Sequence, residues 1–345
     1  MTAIAKADLR YPTNDAPAPG TTHEIALGVH WVRMPLPFPP DHINLWLLED
    51  GDAWAIVDCG LARDEVKQHW ERIFAEALGG RDITRLFVTH FHPDHLGLGS
   101  WLVERWKMPL YMTAGEMLMA RTVHAQGSQA DIANRVSFYR ANGLEGDRLQ
   151  PFAQPGNIYR KGVPDVPSAF RRVAQRQSIG VGGREWTPLV GRGHAPEHAC
   201  MWCPDLNLII GGDILLPRIS PNVSVWPLEP FANPLADYLG SLANFADLPD
   251  DVLVLPAHGL PYRGVHDRIV ELKAHHAQRL DRLAEALAKP HSAAECFRYL
   301  FRREIHPGNL SLAIGESLAH LHLLEAEGRA RRELDGDGVW RFTRA

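Results

Sequence analysis

Residues 85–95 read RLFVTHFHPDH, and this stretch decides the architecture. Arg85 to Thr89 is a short, largely apolar run, the pattern of a buried strand. It leads directly into His90, His92, Asp94 and His95. Pro93 suits the first turn of a helix, so the spacing predicts a strand–loop–helix junction. Imidazole nitrogen and carboxylate oxygen are the donors that zinc, iron and manganese share. Four such groups in one short turn can face a single point.

Upstream, strand patterns cover 28–33, 42–48 and 54–58. Glu49-Asp50-Gly51-Asp52 separates the last two, and Asp-Gly tolerates the positive φ of a hairpin turn. Residues 65–78 carry apolar side chains at helical spacing, and Gly79-Gly80 ends that run. The first 20 residues, with Pro12, Pro17, Pro19 and Gly20, read as a loose arm. Downstream, 114–142 reads as mainly helical and 150–178 as irregular. Strands are expected near 179 and over 185–190, 199–203, 208–210 and 252–255, with a helix over 235–245. His194, Asp213 and His258 each follow one of these strands. Two halves of alternating strands and helices predict a layered α/β fold.

Composition shifts after Gly264. Helices are expected over 269–289, 293–301 and 310–327, then a hairpin over 330–342 around Asp335-Gly336-Asp337-Gly338. Three helices and a hairpin are the order of a winged-helix-like unit. The expected division is an arm at 1–20, a catalytic domain at 21–266 and the C-terminal unit at 267–345.

The 345-residue chain has 36 Lys and Arg against 41 Asp and Glu, a net charge of −5. Nucleic-acid binders usually carry a basic excess, so no nucleic-acid partner is expected. No apolar run reaches the roughly 20 residues of a membrane span. No apolar secretory stretch opens the chain, so a cytoplasmic location is expected. Four cysteines are too few for a disulfide scaffold. Cys200 and Cys203 fall on one predicted strand, where side chains three apart point to opposite faces. They are expected to pack as small hydrophobes.

The order HxHxDH, then Gly193-His194, then Gly212-Asp213, then His258 resembles the metallo-β-lactamase-fold hydrolase superfamily over residues 25–265. All seven ligand positions of its two-metal members have a match. The resemblance implies a four-layer αβ/βα sandwich with metals at one edge between two sheets. The trailing unit is similar to that of glyoxalase II and the lactamase-like endoribonucleases. By motif, His90, His92 and His194 would hold one metal. Asp94, His95 and His258 would hold a second, with Asp213 bridging both. The cofactors implied are two divalent ions, zinc first, with iron or manganese as alternatives. A hydroxide shared by the two metals would attack the substrate, with Asp94 orienting it as the catalytic residue. Asp58, ending the WAIVD strand, would orient a ligand histidine.

A small-molecule substrate is expected, and a homodimer on the general frequency of two-fold dimers. Arg218, Asn222 and Trp226 in the loop after Asp213, and His42 from the other half, are the candidate substrate contacts. Cleavage of a thioester or lactone is the leading expectation. Ala195 and Glu197 replace a Thr and a Gly usual in glyoxalase II, which argues against glutathione thioesters. Three alternatives stand. One is a phosphodiesterase or endoribonuclease, with Arg160, Lys161, Arg171, Arg172 and Arg176 as phosphate partners. Another is a mononuclear-iron persulfide dioxygenase. The last is a winged-helix nucleic-acid-binding factor with structural metals.

Overall fold

The structure is a computed structural model, and it describes residues 6–302 and 304–345. Residues 1–5 of the expected arm lie outside the described residues. The rest of the arm is partly tied down. Arg10 and Arg263 exchange two backbone hydrogen bonds of 3.1 and 2.9 Å, and Leu9 and Tyr11 pack on the core.

The first sheet follows chain order. It comprises β1 (Thr22–Ala26), β2 (Val29–Pro35), β3 (His42–Asp50), β4 (Ala53–Val57), β5 (Ile83–Phe87), β6 (Leu110–Thr113) and β7 (Arg171–Val173). It is antiparallel up to β4 and parallel beyond. Helices α1 (Asp64–Glu76), α2 (Pro93–Leu96), α3 (Gly99–Trp106), α4 (Ala114–Ala125) and α5 (Gln129–Ala141) come from its connections. The stretch read as irregular contains two single turns, α6 (Gln150–Ala153) and α7 (Tyr159–Gly162), and also the edge strand β7, which pairs with β6.

The second sheet runs in the order β12-β11-β10-β9-β8. Its strands are β8 (Ile179–Val181), β9 (Arg184–Gly191), β10 (His198–Cys203), β11 (Leu208–Gly212) and β12 (Leu253–Pro256). Helix α8 (Pro234–Ser241) lies between β11 and β12 in the chain.

Strand alternation builds the layers. Trp46 and Leu48 of β3 join Trp186, Met201, Ile210 and Leu255 of the second sheet in one apolar core between the sheets. Ile43, Leu45 and Leu47, on the other face of β3, pack with Val66, Trp70 and Ile73 of α1 and Leu102 of α3. Cys200 and Ile209 face outward from the second sheet onto Tyr238 of α8 and the C-terminal helices. The order is helices, sheet, sheet, helices, as expected. Cys200 and Cys203 do lie in different cores.

The C-terminal segment comprises α9 (Val265–Ala286), α10 (Phe297–Leu300), α11 (Leu310–Ala326) and the hairpin β13 (Ala330–Leu334)–β14 (Trp340–Arg344). Leu283, Ile314, Leu318 and Phe342 share one core with Leu189, Ile209 and Tyr238. The helix expected over 293–301 is only the single turn of α10. Ser292 and Glu295 exchange side-chain-to-backbone bonds of 2.7 and 3.3 Å, and Ala294 N–H donates to Asn142 O at 3.1 Å. The Ser292 and Glu295 pair caps this turn, and beyond it Phe297 and Tyr299 donate three residues back, to Ala294 O at 3.3 Å and Cys296 O at 3.0 Å, so the segment is wound more tightly than a regular α-helix. Among the described residues, no helix is long and apolar enough to cross a membrane.

Candidate metal centre

Four strand ends converge at one edge of the sandwich. Beyond β5, Val88 N–H donates to Tyr111 O at 2.9 Å, and the chain then turns through His90 to His95 into α2. His194 lies between β9 and β10, Asp213 follows β11, and His258 follows β12. The ligating atoms form two groups: His90, His92, His194 and Asp213, and then Asp94, His95 and His258. In the first group, His90 Nε2 lies 2.9 Å from His92 Nδ1 and 3.2 Å from His194 Nε2. Ligand bonds of about 2.0–2.1 Å in a tetrahedron put neighbouring nitrogens roughly 3.4 Å apart. The spacing fits.

The far sides of His90, His95, His194 and His258 are tied to acceptors. His95 Nδ1–H donates to Asp58 Oδ2 at 2.8 Å. Thr89 donates to Asp58 through its amide (2.7 Å) and its hydroxyl (2.9 Å). The same hydroxyl lies 3.1 Å from His90 Nδ1. His194 Nδ1–H donates to Asn222 O at 2.7 Å, and His258 Nδ1–H to His42 O at 2.8 Å. These bonds select the tautomer that aims Nε2 inward as a lone pair.

Two inward atoms, His95 Nε2 and Asp213 Oδ1, are buried with no hydrogen-bond partner, and they face each other at 3.6 Å. An unpaired buried polar atom costs about 1–3 kcal/mol. A cation between the two groups would satisfy both, so the donor set fits divalent metal. The protonation states suit one as well. Burial, then the charge of His95, pushes His90 well below the usual imidazole value. Burial, then His194, does the same to His92. Burial opposes the charge on Asp213, yet His258 and His95 hold its carboxyl well below the usual range. His95 differs: against burial, Asp58, Asp94 and Asp213 raise it well above its ordinary value. A metal ion must displace that proton.

The carboxylate of Asp213 spans the two groups. Its Oδ2 lies 3.3 Å from His194 Nε2, and its Oδ1 lies 3.5 Å from His258 Nε2. Asp94 Oδ2 stands 3.5 Å from His258 Nε2.

Two residues that the sequence reading did not single out hold this edge together. His198 accepts the Asp213 amide at 3.1 Å and stacks on His90 at a ring separation of 4.7 Å. Burial, then His194, pushes it down to about 3, so it stays neutral. A Cβ on Gly212 would lie 2.4 Å from His198 Nε2, and φ there is +48°, so only glycine suits this approach. Glu116 of α4 is fully buried and accepts the Phe91 amide at 2.9 Å and the Glu197 amide at 2.6 Å. It clamps two ligand loops to each other. Burial raises its carboxyl to about 7. Neither His198 nor Glu116 carries a mark of this in the sequence, since each acts on backbone amides brought from distant positions.

The candidate substrate contacts divide. His42 gives its carbonyl to His258, and its ring accepts the Gly259 amide at 2.9 Å. Asn222 gives its carbonyl to His194. Trp226 is partly buried. Arg218 is exposed, its guanidinium 5.6 Å from the Tyr11 ring centre, and it makes no hydrogen bond or ion pair to the seven ligand residues among those described.

Residues 38–258 match the family model described as metallo-beta-lactamase superfamily. The chain belongs to the metallo-beta-lactamase superfamily. Residues 280–345 match a second model, the metallo-beta-lactamase-like C-terminal domain. The chain is 42% identical to a beta-lactamase domain protein from Burkholderia ambifaria, with a TM-score of 0.87 over 98% of this chain and 99% of that one. A metallo-beta-lactamase family protein from Thermus thermophilus is 28% identical, with a TM-score of 0.77 over 92% and 99%. A probable metallo-hydrolase of Bacillus subtilis (strain 168) is 25% identical over 90% of this chain and 96% of that protein. This superfamily member is a metallo-hydrolase with a His/Asp metal-binding cluster.

Proposed function

We propose that the protein cleaves an ester-type bond, a thioester or lactone, at a centre of two divalent ions. The observation that carries this is Asp213, whose two oxygens face opposite groups of histidines. A one-iron site would leave Asp94, His95 and His258 without a task. His90, His92 and His194 would hold one ion and Asp94, His95 and His258 the other, with Asp213 shared. Zinc is the first choice for this donor set, with iron or manganese as alternatives.

Bound there, such ions bring the pKa of water toward about 7 and polarise the electrophile. Asp94 would orient the attacking hydroxide by hydrogen bonding. Asp58, Asn222 and the His42 carbonyl keep the imidazoles aimed, and Glu116 fixes the spacing of two ligand loops. Trp226 and Arg218 are the proposed substrate contacts, since both ring nitrogens of His42 are paired, with the Gly259 amide and with Asp41. The ester reading is kept ahead of a phosphodiester because the chain is acidic, with 36 Lys and Arg against 41 Asp and Glu. The proposal keeps a catalytic domain at 21–266, a winged-helix-like unit at 267–345 and a cytoplasmic location.

Elemental analysis of protein purified without chelator, with assays on thioester, lactone and bis-aryl phosphodiester reporters, tests the reading. About two ions per chain, and ester turnover abolished by Asp213→Ala, are expected. One iron per chain without hydrolysis would overturn it and favour persulfide oxidation.

A further inference from the structure

Helix α11 lies in the C-terminal segment, yet it touches the chain that holds a metal-ligand histidine. Val225 N–H donates to Gly315 O at 3.1 Å. The Ser224 hydroxyl lies 2.6 Å from Asn222 Oδ1, to which it donates, and 3.4 Å from Leu312 O. Asn222 Nδ2 donates to Glu316 Oε2 at 3.5 Å. Glu316 is itself held by Arg279 of α9. Glycine is a poor residue for a helix interior, and Gly315 sits inside α11. The contact explains it: a Cβ there would lie 2.5 Å from Ser224 Cβ and 3.0 Å from Val225 O. At the other end of this segment, the Asn222 carbonyl accepts the proton of His194 Nδ1.

We propose that α11, through Gly315 and Glu316, sets the position of Asn222 and so of His194. The C-terminal unit is then a positioning element for the His90–His92–His194–Asp213 group. Segment 222–225 is the rigid link: its outer side is seated on α11, and its first carbonyl fixes the ring orientation of a ligand. The inference rests on the reading of His194 as a metal ligand.

The test uses the full chain stripped of metal and titrated with Co(II) and Zn(II) against a chromophoric chelator. His194→Ala and His258→Ala identify which binding step belongs to which group. Gly315→Ala is expected to weaken the His194 step on the order of tenfold, as loss of an outer partner does, and to change its Co(II) spectrum. The His258 step should hold. Ser224→Gly removes the side chain that the new methyl meets, so Gly315→Ala should cost less in that background. Ser317→Ala is the control for simple destabilisation. Its hydroxyl bonds Ala293 O at 2.8 Å, away from segment 222–225. It should lower the melting temperature of the metal-free protein and leave both binding steps unchanged. Gly315→Ala binding like wild type, or weakening both steps in parallel with the melting temperature, overturns the inference alone. A wild-type protein with no ion at the His194 group overturns it together with the functional reading.

Discussion

At Asp58 the backbone turns through φ +61°, and one carboxylate serves Thr89 and His95 at once. Asn also tolerates this left-handed conformation, so Asp58→Asn keeps the turn. It places an NH2 where Oδ2 accepted from the Thr89 hydroxyl and His95, and His95 loses the acceptor that fixes its tautomer. Metal affinity at the His95 group should fall about 10–100-fold, with a smaller loss of thermal stability. Chelator competition against wild type reads this directly, and equal affinities would dismiss the role. Asp58 could be picked out in the sequence because it ends a strand that precedes the histidine cluster. The four donors of residues 90–95 were legible for a stronger reason, since they crowd one turn. Glu116 and His198 were not. Each acts on backbone amides brought from distant positions, Phe91 and Glu197 in one case and Asp213 in the other. A lone Glu on a helix carries no mark of that.

Helices α9 and α11 meet through a pair of buried histidines. His276 Nδ1 lies 3.3 Å from His320 Nε2, and His320 Nδ1–H donates to Glu316 O at 2.8 Å. Burial first, then the neighbouring His320, lowers His276 to about 2; burial, then Arg279, lowers His320 to about 3. Both rings are folded in neutral, while the unfolded chain takes up protons below about 6.5. Their contribution is therefore complete above pH 6.5 and declines as the pH falls. The loss is about 1.4 kcal/mol per pH unit for each ring. His276→Leu removes one such ring. Between pH 6 and pH 4.5, wild type should lose about 2 kcal/mol more than the variant in urea denaturation. Parallel pH curves would refute this. The element pattern itself was well marked in sequence where periodicity was long, as in α9 and α11. It failed over 293–301, where Phe297 and Tyr299 donate to carbonyls three residues back and leave α10 as the one regular turn. Gly315 likewise looked like an ordinary helical position, because its purpose lies in the segment seated on it.

Across the whole molecule, the seven ligand residues come from the ends of strands in both sheets. Ions held there join the two halves of the sandwich, in addition to Asn44, which bonds across to Pro256 O and Gly259 O at 2.9 Å each. Removal of metal should therefore lower stability of the entire fold. At an ion concentration of a hundred times Kd the loss is about 2.7 kcal/mol, a melting-temperature drop of several degrees. Calorimetry before chelation, after it, and after zinc is restored measures this. An unchanged transition in protein shown to be metal-free would contradict it. The layered fold and the edge position of the site could be read from strand order; that the C-terminal helices share the second sheet's core could not. Phe342 and Leu318 pack with Ile209 and Tyr238. This has a consequence during synthesis. The sheet that carries Asp213 and His258 waits for side chains made well after its own strands. At roughly 5–20 residues per second, Asp213 leaves the peptidyl-transferase centre on the order of ten seconds before Phe342 does. Through that interval the nascent chain carries the outer face of the second sheet as an uncovered apolar surface, although every one of the seven ligand residues precedes Phe342 in the chain.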